Sequence, residues 1–300
     1  MDKKEFIATL VERLYQRGNE TLIKESKKLN QEEQELLVVV KGKLTDMQVR
    51  VDLLWDAYSK GKTIEEICRE IKSKLIEFEE ANSNVTPVGI NQWNRVKSRV
   101  RCKVYSKNRN LINAMKNGIP CFCFLDLLVI FYLQINDDNE MTMDITNEHL
   151  KEWGITKNEL IAVAGENLVN SSFELVNLNE RIKELMGIEK EKKNTGIVYI
   201  DPDPIYILSN ESGVYGACAI LNTQVMEDTY EKVGCRNFFI LPSSIDELII
   251  VPKRDYPDYD AQMLQFIVMQ TNINCVDRED QLTDSVYFYE HETRLVKKLV

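Results

Sequence analysis

Between Glu80 and Asp126 the sequence has no acidic residue, yet Arg95, Lys97, Arg99, Arg101, Lys103, Lys107, Arg109 and Lys116 all fall there. Lys and Arg clustered without counter-charges attract phosphate, and Trp93 and Tyr105 add ring faces on which a base could stack. This window points to a polyanion, either a nucleic acid or an acidic partner protein. The competing reading is structural: carboxylates elsewhere, such as those in 137–148, pair with the stripe inside the fold. The whole chain carries a formal charge of −10, which argues against a protein that coats nucleic acid generally. No nucleic-acid-binding motif is present.

Other residues could do different chemistry. Pro242-Ser243-Ser244-Ile245-Asp246-Glu247 lies between two apolar segments, where a turn at a sheet end would hold hydroxyls and carboxylates rigidly. A serine nucleophile there needs a base within hydrogen-bond reach, and His149 and His291 are the two histidines. No G-x-S-x-G elbow occurs, and a capping turn is the simpler reading. Cys121-x-Cys123 could turn two thiols the same way on a strand, but zinc usually takes C-x2–4-C pairs and four ligands, so buried, inert thiols are expected. Asp126 interrupts an apolar run, so it is either an acid with a raised pKa or, as favoured here, the partner of a neighbouring Arg. Asp201-Pro202-Asp203-Pro204 and the acidic stretch 255–260 lack the spacing of a calcium loop and read as solvated turns. Gly213 and Gly216 match no phosphate loop and suggest a hairpin with close packing. No cofactor is expected.

The elements that must position these residues follow from periodicity. Cys121–Ile135 is the longest apolar run, preceded by Gly118 and Pro120, and reads as one strand buried on both faces. It is too short to span a bilayer, which takes about 20 residues, and the amphipathic N-terminus has no signal-peptide pattern. Residues 2–17 and 52–59 fit helices, and 21–51 fits strands in a meander. Thr63-x-x-Glu66 opens a helix to Glu80 with Ile64, Ile67, Ile71, Leu75 and Phe78 on one face. Residues 81–90 form a loop and the candidate domain boundary, and from Trp93 a helix gives way to an extended segment. Helices are predicted over 146–153, 156–167, 178–194 and 258–271. Strands are predicted over 141–145, 205–208, 214–221, 238–241, 248–251 and 285–289. Seven scattered cysteines in a chain 44% hydrophobic and 29% charged fit reduced thiols in a cytoplasmic globular protein.

The segments D-L-L-V-I-F-Y, T-N-E-H-L-K-E-W-G-I-T-K-N-E-L with G-E-N-L, I-Y-I-L-S-N-E-S-G-V-Y-G-A and F-I-L-P-S-S-I-D-E-L-I-I-V-P together resemble domain-of-unknown-function family 5688 of gut Firmicutes. They are distantly similar to YtpQ-like bacterial proteins. The resemblance covers nearly the whole chain and carries no established activity. Asp246 stands where the family pattern more often has His, so no chemistry is transferred to that position.

The expectation is an α+β fold: a mixed, largely antiparallel sheet around the buried run 121–135, with an N-terminal α+β segment (1–80) packed on a C-terminal α+β domain (81–300), or one continuous domain. The expected function is non-catalytic binding or regulation in a bacterium or on a mobile element. The candidate contact residues are Trp93, Arg95, Lys97, Arg99, Arg101, Lys103, Lys107 and Arg109. The alternatives are a hydrolase working from the 242–247 turn with a histidine, and a structural homodimer.

Overall fold

Alternating and continuous apolar runs set the strands, and antiparallel pairing joins them throughout the described residues. The computed structural model describes residues 1–16, 18–26, 29–30, 35–42, 47–81, 92–135, 142–185, 204–242, 244–253 and 260–300. The chain divides into two compact units, Met1–Arg95 and Val96–Val300. Of the expected boundary loop at 81–90, Ala81 is the last residue of a helix and 82–90 lie outside the described residues.

In the first unit, helix α1 (Lys3–Gln16) is followed by a three-stranded meander, β1 (Thr21–Ser26), β2 (Glu35–Val40) and β3 (Met47–Arg50), as the β-branched run at 36–40 predicts. Helices α2 (Val51–Ser59) and α3 (Ile64–Ala81) complete it. The Thr63 hydroxyl accepts from the Glu66 N–H at 3.2 Å, and Glu66 Oε2 accepts from the Thr63 N–H at 2.8 Å, so the predicted capping box closes. Phe6, Leu10 and Leu14 of α1 meet Val38, Val40, Ile67 and Ile71 in the core. Phe6, Trp55 and Tyr58 form a triangle of rings, with the Phe6 centroid 5.4 Å from Trp55 and 4.9 Å from Tyr58.

The short helix α4 (Trp93–Val96) contains the division between the units, and the second unit runs from its last residue through a 3-10 turn (Lys97–Arg99) into β4 (Val100–Ser106) and then α5 (Lys107–Lys116). The apolar run beyond is a hairpin. Strand β5 (Cys121–Phe124) turns at Leu125–Asp126 into β6 (Leu127–Gln134), with Phe124 opposite Leu127. β6 is the central strand, fully buried over its first seven residues, with β4 on one side and β5 and β7 (Thr142–Asp144) on the other. Helices α6 (Asn147–Trp153) and α7 (Lys157–Val169) follow the predicted ranges and are capped by Thr146 and Thr156.

A six-stranded sheet follows, built from β8 (Phe173–Asn177), β9 (Tyr206–Asn210), β10 (Asn237–Leu241), β11 (Leu248–Pro252), β12 (Tyr287–Glu290) and β13 (Leu295–Lys298) in the order β13-β12-β10-β11-β9-β8. Helices α8 (Leu178–Leu185), α9 (Thr223–Val233) and α10 (Ala261–Asn274) connect or flank it. Leu264 and Val268 of α10 pack with Phe239, Leu241, Val251 and Val286. The fold is α+β, with largely antiparallel sheets, as expected.

Two segments depart from the sequence reading. The run 121–135 is broken by its turn, with Leu125 at φ +56°. The predicted strand over 214–221 is instead a 3-10 segment, Gly216–Leu221. A neighbouring turn takes two N–H groups where the segment begins: Tyr215 N donates to Asp246 Oδ1 at 2.7 Å and Ala217 N to Ile245 O at 3.3 Å. Backbone donors taken up by a turn are not available to a ladder.

Candidate functional site

Strand alternation puts Arg101, Lys103 and Tyr105 on one face of β4. Arg101 and Tyr132 are register partners, and Tyr132 in turn is the register partner of Asp144 on β7. Lys103, expected to face a ligand, is only 4% exposed. Its Nζ lies 2.8 Å from Asp144 Oδ1 and 4.5 Å from the Tyr215 ring centroid, with the Tyr105 and Tyr132 rings at 5.5 and 5.6 Å. Burial alone would lower its pKa. The anionic forms of Tyr105 and Tyr215, together with the Asp144 carboxylate, outweigh that, and the net shift is upward. Tyr105 is itself buried, so its ring belongs to this cage and offers no base-stacking face. The pairing with a carboxylate from 137–148 is the one the structural reading anticipated.

The rest of the basic window is divided among several tasks. Arg99 donates to Ile135 O at 2.6 Å, and Arg109 donates to the carbonyls of Gln281 and Leu282. Arg101 donates to Ser98 O at 2.8 Å and Val100 O at 3.0 Å. Carbonyls orient a guanidinium without neutralising it. Arg95 and Lys97 are exposed, and Trp93, Arg99, Arg101, Lys107 and Arg109 are half-buried. No carboxylate among the described residues forms an ion pair with Arg101. The predicted stripe is therefore not one surface: Lys103 belongs to the interior, and Arg109 fastens α5 to residues 281–282.

Arg101 stands at a cleft of about 410 Å³ that the sequence did not foreshadow. Cys102, Tyr132, Leu168 and Cys218 line its apolar part, and Gln134, Ser171, Ser172, Asn210 and Ser212 its polar part. Phe173 and Glu211 complete the rim. The Asn167 side chain of α7 donates to Lys97 O at 2.8 Å and Val100 O at 2.9 Å, fixing the backbone on which Arg101 sits. On the far wall, Asn210 Nδ2 donates to Val214 O at 2.7 Å, and Gly216 packs so closely that an added Cβ would lie 2.5 Å from Asp246 O. The Cys218 thiol is hydrogen-bonded to Cys102, and that bond together with burial raises its pKa well above the ordinary thiol value. Burial likewise raises Tyr132. Among the described residues, Arg101 and Glu211 are the acidic and basic side chains that line the cleft. The volume lies within the range of about 300–1,000 Å³ typical of ligand sites.

The remaining candidates have other partners. His149 Nδ1 accepts from Thr146 N at 3.0 Å as part of the α6 cap. His291 stacks on Tyr230 at 3.9 Å and lies 3.5 Å from Glu227. In the 242–247 turn, Ser243 lies outside the described residues, and Ser244 Oγ accepts from Asp246 N at 3.1 Å. Burial raises the pKa values of Asp246 and Glu247, and Asp246 adds to the shift of Glu247.

Cys123 is exposed and Cys121 half-buried, because β5 pairs on one side only, so the expectation of two buried thiols is corrected. Asp126 sits in the hairpin turn. It accepts from Ser285 Oγ at 2.6 Å, from Tyr287 OH and from Lys298 Nζ at 3.0 Å, in place of the expected neighbouring Arg. The stretches 201–203 and 255–259 lie outside the described residues. Asp260 caps α10 by accepting from Met263 N at 2.7 Å.

These features define an α+β protein whose second unit opens a polar, arginine-marked cleft beside its basic strand. The chain belongs to a family of unknown function, DUF5688, whose model it matches over residues 3–291. No curated protein and no solved structure matches it. No helix among the described residues is long and apolar enough to cross a membrane.

Proposed function

We propose that this is a binding protein that acts without catalysis and takes a phosphate-bearing ligand, either a nucleotide or one end of a single-stranded nucleic acid, in the Arg101 cleft. The observation that carries the reading is Arg101, which is held by carbonyls, has no ion pair with a described carboxylate and borders a cleft of about 410 Å³. A guanidinium in that state gives a phosphate two parallel hydrogen bonds and a charge partner. Hydroxyl and amide groups on the rim suit sugar or base edges, and Phe173 offers a ring. The neutral floor favours binding over chemistry: a thiol with a raised pKa is a poor nucleophile, and both histidines are engaged elsewhere.

Fluorescence polarisation with a labelled single-stranded oligonucleotide, competed by unlabelled mononucleotide, tests the proposal. Binding should weaken as salt rises. Arg101→Glu should weaken it by at least about tenfold, in line with the loss of one charge-assisted pair. Competition by the mononucleotide alone identifies the nucleotide as ligand, and resistance to it identifies the strand. Equal affinity of wild type and Arg101→Glu, or no binding of either probe, refutes the proposal.

A further inference from the structure

Strand β8 is an edge strand of the six-stranded sheet, and its register with β9 sets Phe173 opposite Asn210 and Leu175 opposite Leu208. Alternation places both pairs on one face of the sheet, about 7 Å apart along the strands. The first pair lines the Arg101 cleft. Phe173 and the second pair line another cleft, of about 290 Å³, whose other wall is α9. The two clefts share Ser171, Ser172 and Phe173. They are two stretches of one trough that runs along the β8–β9 face.

We infer that the trough takes a single nucleic-acid strand two nucleotides deep, with one phosphate at Arg101 and the second cleft as the subsite of the next nucleotide. This rests on the reading of the Arg101 cleft as a phosphate site. Charge comes first. Lys232 of α9 lines the second cleft, is exposed, and forms no ion pair with a described carboxylate, so a second cation is available for a second phosphate. Shape comes second. Leu175, Leu208 and Val225 give the second cleft an apolar floor against which a base can lie, and Phe173 stands where the two clefts meet. The polar groups come third. Thr229 is 2% exposed, and its hydroxyl makes no hydrogen bond with another described residue. Asp228 already accepts from Gln224 Nε2 at 2.8 Å, and a carboxylate can only accept, which suits the amino group of a base edge and leaves the phosphate to Lys232. A mononucleotide seated at Arg101 would leave both Lys232 and Thr229 without a partner, and a buried polar group is ordinarily paired.

Isothermal titration calorimetry on the full chain with 5′-phosphorylated oligodeoxyadenylates of one, two and four nucleotides tests this. Affinity should rise at least about tenfold from one nucleotide to two, as one further charge-assisted contact gives, and change little from two to four. Lys232→Glu should abolish that gain and leave the mononucleotide affinity unchanged, whereas Arg101→Glu should weaken all three ligands. Lys232 is exposed, so its variant should keep the wild-type circular dichroism. Lys151→Glu, the same change of charge at an exposed position of α6, should alter none of the affinities. Two nucleotides binding no tighter than one, a gain that survives Lys232→Glu, or an equal loss with Lys151→Glu overturns the inference, and the Arg101 reading stands if Arg101→Glu still weakens binding. Affinities indifferent to Arg101→Glu, or no binding of any ligand, overturn both.

Discussion

The Lys103–Asp144 pair allows a prediction in which the direction of the difference is the test. Lys103 is almost fully enclosed, whereas the Asp144 side chain is 44% exposed. Removing one member of a buried pair costs about 3–5 kcal/mol, because the other is left uncompensated. Asp144→Ala leaves the ammonium inside its ring of tyrosines, but solvent already screens half of the pair, which brings the expected cost to about 2 kcal/mol. Lys103→Met removes the ion pair and a cation–π contact worth about 0.5–2 kcal/mol, but it also removes the desolvation of a buried charge, which costs several kcal/mol. The methionine variant should therefore lie within about 1 kcal/mol of wild type.

Urea unfolding, read by hydrogen exchange of β4 and β6 amides so that the second unit alone is followed, resolves the two. With a slope of about 2 kcal/mol per molar urea, Asp144→Ala should lower the midpoint by about 1 M. Lys103→Met should barely move it. Because the fold raises the Lys103 pKa, the ammonium's contribution is fully present below its unfolded value of about 10.4 and is lost only as pH rises through the higher folded value. If Lys103→Met is the more damaging substitution, the account of a costly, cage-compensated charge is refuted.

Further outcomes can be checked independently. Asp126 is raised by burial but lowered further by its bonds from Ser285, Tyr287 and Lys298, so its net shift is downward. It therefore adds stability above the unfolded carboxylate value of about 3.9, and this stability is lost as pH falls through the lower folded value. Asp126→Asn should cost about 1–3 kcal/mol at pH 7 and flatten the acid limb of a stability–pH curve. Gly216→Ala places a Cβ 2.2 Å from Ser209 Oγ and 2.7 Å from Asn210 N, and should lower stability by about 1–3 kcal/mol in thermal unfolding. In timed alkylation followed by mass spectrometry, the exposed Cys123 and Cys275 should react before the buried Cys68, Cys102 and Cys218, and early labelling of Cys102 would contradict the closed floor of the cleft.

What could be read from the sequence was what local chemistry controls. Thr63 announced its helix because a capping box is confined to four residues. The 36–40 run announced a strand because β-branched side chains suit a pleat. The turn at Leu125–Asp126 was hidden because it has no Asn-Gly or Asp-Gly pair, and Leu125 adopts a left-handed backbone that its type disfavours. The cleft was hidden for another reason. Its walls come from residues 101–102, 132–134, 168–173 and 210–218, brought together by strand order, and strand order is not written in any one segment. The basic window was visible as composition, but Arg101 and Lys103 share a face of β4, and which of them is enclosed was decided by Asp144 and Tyr215, which distant segments bring over Lys103.

The ligands of Asp126 also bear on how the second unit forms. Ser285, Tyr287 and Lys298 lie 159, 161 and 172 residues further along the chain. At a synthesis rate of about 5–20 residues per second, Asp126 leaves the ribosome roughly 10–30 s before the groups that hold it. The β5–β6 hairpin, a local pairing, can form at once, while its tip waits as an unpaired carboxylate beside nascent apolar strands. The hydroxyls and the ammonium then arrive together on the β12–β13 hairpin and the residues leading into it, so closure of the unit is a late, long-range event of the kind that slows folding. Until then the carboxylate keeps a charge at the tip of the nascent hairpin, where bare apolar strand ends would otherwise invite aggregation.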